Sequence, residues 1–198
     1  YERSLSRLNQ LVLQGTGAIE IKSGYGLNLD SELKILRVIK RLKENSKATI
    51  KSTFLGAHAV PLEYKNNKPK YLDLIINEML PAIQSEGLAD YIDVFCEKGY
   101  FDVDDTIKVL KAGQKYALKG KTHVNQFNSI GGIKASIQNN CISVDHLEVM
   151  EEEDYLAFKN SSCIATLLPS CSFFLGIPYS PAKEFIKRNI PFLSLIHI

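Results

Sequence analysis

Three of the four histidines in the 198-residue chain end the same kind of segment. His58 lies in "TFLGAHAVP", His123 in "KTHVNQF" and His146 in "SVDHL". Each follows an apolar, β-branched run and stands where that run turns polar. Neutral imidazole is the commonest side-chain metal ligand, and it titrates near neutrality. A hydrolytic zinc or iron centre needs three or four nitrogen or oxygen ligands and an open position for water. Two of these histidines and one carboxylate would meet that need. Glu97 and Asp145 are the carboxylates at comparable run ends. Each is expected to partner a histidine or lysine rather than to transfer protons. Any one such histidine is most simply a hydrogen-bonded structural residue; the repetition is what points to a functional cluster. No local H-x-x-x-H adds to it.

Two glycine pairs are the other candidates. In "KSGYGLN", Gly24 and Gly26 flank Tyr25 and free the backbone to present its hydroxyl. The plain alternative is a turn with a packed aromatic, and the spacing matches neither nucleotide-binding fingerprint. Gly131-Gly132 is a loop that opens a helix, where an anion could also sit.

The elements that must position these residues alternate. Apolar runs occur at 18–23, 50–60, 91–97, 120–127, 141–147, 162–170 and 190–196. Helical patterns fall between them: 30–44 with Asp30 or Ser31 as cap, 71–85 interrupted by Pro81, 103–117, 131–139, 151–160 and 181–188. Strands alternating with helices argue for βα units and a parallel sheet. A doubly wound sheet would gather polar groups at its switch point. Here nearly every run ends polar, as in a (β/α)8 barrel, whose strand C-termini meet at one active face.

Composition sets the broader bounds. The chain is 45% hydrophobic and 23% charged, with net charge +2 and no basic stripe, which argues against nucleic acid. No membrane-spanning run or signal peptide is legible. Cys96, Cys141, Cys163 and Cys171 form no C-x-x-C pair and read as free thiols of a cytosolic protein.

Taken together and in order, "EIKSGYGL", "TFLGAHAVP", "DVFCE", "KTHVNQF", "SVDHL" and "LLPSCSFFLG" resemble the imidazolonepropionase family of the metal-dependent amidohydrolase superfamily. The resemblance runs from about residue 10 to about residue 192. It implies an α/β fold, an incomplete (β/α)8 TIM-type barrel holding roughly strands two to seven. It implies hydrolysis of the cyclic amide of 4-imidazolone-5-propanoate to N-formimidoyl-L-glutamate, the third step of histidine breakdown. The implied cofactor is one divalent metal, Zn²⁺ or Fe, that activates the water. His123 resembles the metal ligand of the fifth strand. His146 resembles the sixth-strand histidine that contacts the water at the metal. Tyr25 and His58 resemble substrate contacts, with His58 placed to polarise the ring carbonyl. The implied setting is cytoplasmic, with a small-molecule substrate, no nucleic acid, no membrane, and a homodimer for the full-length protein.

Departures from the pattern qualify this. Asn125 and Gln126 stand where many members carry two acids. Gln126 can orient the substrate ring but cannot take its proton. The strand-one H-x-H pair and the strand-eight aspartate are absent. Residues 1–192 therefore read as a partial barrel domain, and 193–198, "LSLIHI", as a non-native adapter-like tail in which His197 is no ligand. Such a piece is expected to be inactive alone, because it lacks at least three of the groups the resemblance places around the metal, and poorly soluble, because it leaves two sheet edges unpaired. The alternatives are another cyclic-amide hydrolase or deaminase of the superfamily, or a barrel-derived binding protein without metal chemistry.

Overall fold

The computed structural model describes residues 1–194, and His197 lies outside them. Seven strands alternate with helices among the described residues. The chain divides into two compact units, Tyr1–Ile92 and Asp93 onward. Both carry the βα repeat read from the sequence. No described helix is long and apolar enough to cross a membrane.

The first unit opens with α1 (Glu2–Leu13), which leads into β1 (Ala18–Lys22). Helix α2 (Leu29–Asn45) returns the chain to β2 (Thr49–Ala57), which pairs parallel to β1 from Ala18 opposite Thr49 to Lys22 opposite Thr53. The cap of α2 is Asn28, two to three residues earlier than the sequence implied; its side chain accepts from the Ser31 amide at 2.9 Å. Leu33, Leu36, Ile39 and Leu42 make the buried stripe of this helix, as their spacing predicts. Pro81 does not end the next helix. Instead α3 (Lys68–Leu74) passes through a π-helical turn (Ile75–Met79) into α4 (Leu80–Glu86). A wider turn just before proline is a local way to relieve the clash its ring would cause.

Polar contacts on the outside of this unit converge on Asp90. Its carboxylate accepts from the Ser52 amide at 2.9 Å, from Lys51 at 3.1 Å and from Lys43 at 3.1 Å. Burial pushes the Asp90 carboxyl up, but the Ser52 amide and the two lysines outweigh it and hold it at about 2. The folded value lies below the ordinary 3.8, so the stabilisation is present above about pH 4 and is lost as pH falls through about 2. Both lysines are nearly half exposed, so their share is small. Asp90→Asn is expected to cost about 1–2 kcal/mol at pH 7. Urea unfolding against pH should show the two proteins converging towards pH 2.

In the second unit β3 (Tyr91–Cys96) enters from the first, then α5 (Val103–Gln114), β4 (Lys119–Val124), α6 (Gly132–Gln138), β5 (Ser143–His146), α7 (Glu152–Lys159), β6 (Ile164–Leu167), α8 (Pro169–Leu175), α9 (Ala182–Lys187) and β7 (Phe192–Ser194) follow. Strands β4 to β7 pair parallel in chain order. Asp102 and Asp105 form a capping box at the start of α5. Glycine earns its place at Gly132 by packing: a Cβ there would come within 2.9 Å of Val124 and 3.0 Å of the Cys96 sulfur. That accounts for the Gly131-Gly132 pair as a helix start pressed onto the sheet.

Register fixes which side chains share a face. His123 lies opposite Asp145, and Asp145 opposite Thr166; one layer below, Lys121 lies opposite Ser143. Thr122 turns the other way and meets Ser136 of α6 at 2.7 Å.

Candidate active site

In the second unit three buried or half-buried groups from three strands meet. Donor atoms of Asp93 (β3), His123 (β4) and Asp145 (β5) all lie within 4.8 Å of one another. His123 Nδ1 is 3.1 Å from Asp93 Oδ1, and His123 Nε2 is 3.9 Å from Asp145 Oδ2. A carboxylate only accepts, so in the neutral ring Nδ1 carries the proton and donates it to Asp93. The Nε2 lone pair then faces Asp145. Two facing acceptors at this separation suit a cation between them, since two bonds of about 2.1 Å span roughly 3–4 Å. The donor set therefore fits a divalent metal, with His123 and Asp145 able to hold it and Asp93 orienting the imidazole.

His146 joins this cluster through an unusual backbone. Strict alternation along β5 would send Asp145 and His146 to opposite faces. His146 instead has φ +88°, followed by Leu147 at +68°. That left-handed turn carries its ring to 5.2 Å from the His123 ring, centroid to centroid. Burial lowers the His146 pKa below its usual value, against the opposing pull of Glu148, so the ring is neutral at physiological pH. Its Nδ1 sits 3.6 Å from Glu148 Oε2, too long for a hydrogen bond. Glu148 is itself held by the Ser172 hydroxyl at 2.8 Å.

The loop after β4 explains the two amides of "HVNQF". Asn125 is fully buried with φ +54°, and its Nδ2 donates to the Val149 carbonyl at 2.8 Å and to Asp154 at 3.1 Å. An ionised aspartate at 125 could make neither bond, so the amide is a fitted strut. Gln126 is nearly buried, with Nε2 3.8 Å from the Cys171 sulfur. Glu97 differs from expectation: it partners neither histidine nor lysine, but accepts from the amides of Lys98, Phe127 and Asn128 and from Asn128 Nδ2. It ties down the loop that carries Gln126.

In the first unit Tyr25 and His58 come together. Their rings stack edge to face with centroids 5.2 Å apart, and Tyr25 is 78% exposed. His58 Nδ1 lies 2.9 Å from the Gly24 carbonyl, which can only accept. Nδ1 therefore carries a proton, and a neutral His58 presents the Nε2 lone pair. Gly24 needs to be glycine: φ is +101° and a Cβ would lie 2.6 Å from the Leu55 carbonyl.

Of the residues singled out in the sequence, the fold brings His123 and His146 together in one unit and Tyr25 and His58 together in the other. Asp93 and Glu32 were not anticipated. The trace of Asp93 is the alternation in "YIDVFC", where Ile92, Val94 and Cys96 are fully buried apolar residues and Asp93 takes the opposite face. Nothing local marks Glu32.

No protein-family model matches the chain. Its sequence is 56% identical over 191 residues to the imidazolonepropionase of Christiangramia forsetii and 57% identical over 191 residues to that of Flavobacterium johnsoniae. Each alignment covers 96% of the chain and 46% of the relative. The chain is similar to imidazolonepropionases. A third, from Shewanella oneidensis, is 43% identical over 99% of the chain and 52% of its own length. The chain thus spans about half the length of the imidazolonepropionases it matches. Among solved structures, a guanine deaminase from C. acetobutylicum with bound guanine aligns at TM-score 0.70 and 15% identity, covering 96% of the chain and 48% of its own. A triazine hydrolase from Arthrobacter aurescens aligns at TM-score 0.73 and 9% identity, covering 98% and 47%. At these identities the likeness shows a shared fold.

Proposed function

We propose that this chain is part of an enzyme that hydrolyses 4-imidazolone-5-propanoate to N-formimidoyl-L-glutamate. The observation that carries the reading is His123, oriented by Asp93 at Nδ1 and offering Nε2 towards Asp145, with the neutral His146 ring beside it. A zinc or iron ion held there would supply Lewis-acid activation of water at neutral pH. His146, kept neutral by burial, is the group able to take a proton. Tyr25 and His58 are assigned to the substrate ring. His58 accepts a ring N–H when neutral, and polarises the ring carbonyl only as imidazolium, because its Nδ1 proton is committed to Gly24. Gln126 hydrogen-bonds the ring without moving a proton. A homodimeric, cytoplasmic enzyme is the setting this reading implies.

The test is a chimera in which these residues replace the matching 191-residue segment of the Christiangramia forsetii protein. Loss of the imidazolone ultraviolet absorbance is expected, with kcat/KM within about tenfold of the parent. A folded, metal-loaded chimera that leaves the absorbance unchanged would overturn the proposal.

A further inference from the structure

The loop bearing Tyr25 is organised by one buried carboxylate. Glu32, in the first turn of α2, is completely inaccessible to solvent. Its Oε1 accepts from the Gly26 amide at 2.7 Å and the Leu27 amide at 3.1 Å. Its two oxygens straddle the Gly24 amide, at 3.1 Å from Oε1 and 2.9 Å from Oε2. Gathering three amides on one carboxylate compensates its burial and fixes the loop's path. Two features follow from that path. Tyr25, between the gathered amides, is turned outwards. The Gly24 carbonyl is aimed at His58 Nδ1, 2.9 Å away.

We infer that Glu32 is a positioning residue of the substrate subsite, setting the Tyr25 hydroxyl and the His58 tautomer together through Gly24. The inference rests on the assignment of Tyr25 and His58 to substrate binding. It names a role for a side chain that touches neither ring among the contacts described. A plain structural anchor would hold the loop without fixing which His58 nitrogen bears the proton.

Glu32→Gln separates the two roles. With its remaining oxygen on Gly26 and Leu27, the glutamine amide nitrogen faces the Gly24 N–H, donor against donor. The shorter Gly24 contact is lost while most of the anchor stays. The first readout needs no activity: ¹⁵N spectra of histidine side chains in the chimera at about pH 8.5, where ordinary imidazole is neutral. His58 is identified by the signal missing in His58→Asn. The expected result is an Nδ1–H ring in the parent and a mixture of tautomers in Glu32→Gln. An Nε2–H ring in the parent, or an unchanged ring in the folded variant, overturns the inference. Should Glu32→Gln not fold, Glu32→Asp, whose shorter carboxylate reaches fewer amides, is read in the same way. The second readout uses the chimera: Glu32→Gln should raise KM about tenfold with kcat within about threefold. A fall in apparent kcat at unchanged KM marks mere loss of folded protein and overturns the inference. A parent chimera without turnover sinks the functional proposal, while the spectra still decide the role of Glu32.

Discussion

Replacing His146 with asparagine in the chimera is expected to lower kcat by about 10²–10⁴-fold while leaving the bound metal in place. The physical basis is the ring's position and state. It lies 5.2 Å from the His123 ring but outside the Asp93, His123 and Asp145 donor set. Burial keeps it neutral, so it is ready to accept a proton at physiological pH. Asparagine fills part of the same space, hydrogen-bonds, and carries no titrating nitrogen. Stopped-flow absorbance gives kcat, and metal analysis after dialysis gives occupancy. Loss of metal in this variant would make His146 a ligand and refute the division of labour drawn here. Retained metal with an unchanged kcat would place the proton transfer elsewhere.

The second large effect concerns the metal itself. His123→Ala removes the donor nitrogen, and the chimera should then lose its metal on dialysis. Asp93→Asn should weaken retention by about 10–100-fold without abolishing it. The asymmetry follows from the geometry. His123 Nε2 faces Asp145 across 3.9 Å, whereas Asp93 meets the other ring nitrogen at 3.1 Å. An asparagine can turn its oxygen to the same Nδ1–H, but it lacks the charge that makes the imidazole a stronger donor to metal. Competition with a chromophoric chelator measures both variants. Equal losses would place Asp93 on the metal as a ligand. No loss in His123→Ala would remove the site altogether.

Much of this was legible in the chain. The βα rhythm, the parallel pairing and the placing of His58, His123 and His146 at strand ends follow from apolar runs that each end in a polar residue. They were legible because a parallel strand buried on both faces is a continuous apolar run, so its polar end stands out. The roles of the acidic residues were less visible. Glu97 and Glu32 are both buried carboxylates that hold a loop after a strand, and both grip backbone amides. Backbone donors have no sequence signature, so neither role could be read from residue types. Asn125 was readable only as a missing acid, until the Val149 carbonyl and Asp154 showed why an amide stands there.

Helices α1 and α8 apart, the sequence by itself determined the strands, the helices between them and the histidines at their ends. These depend on local apolar periodicity, which a single chain displays. Only the tertiary structure decided that Asp93, thirty residues from His123, orients it. It also decided that His146 shares a face with His123. Alternation along β5 forbids that arrangement, and a left-handed residue at φ +88° permits it. Such a conformation is disfavoured in isolation and is held by the surrounding fold, here by contacts such as the Ser180 hydroxyl on the His146 carbonyl at 2.7 Å. Pairings across strands are set by register and backbone turns, and neither is written in the order of the residues.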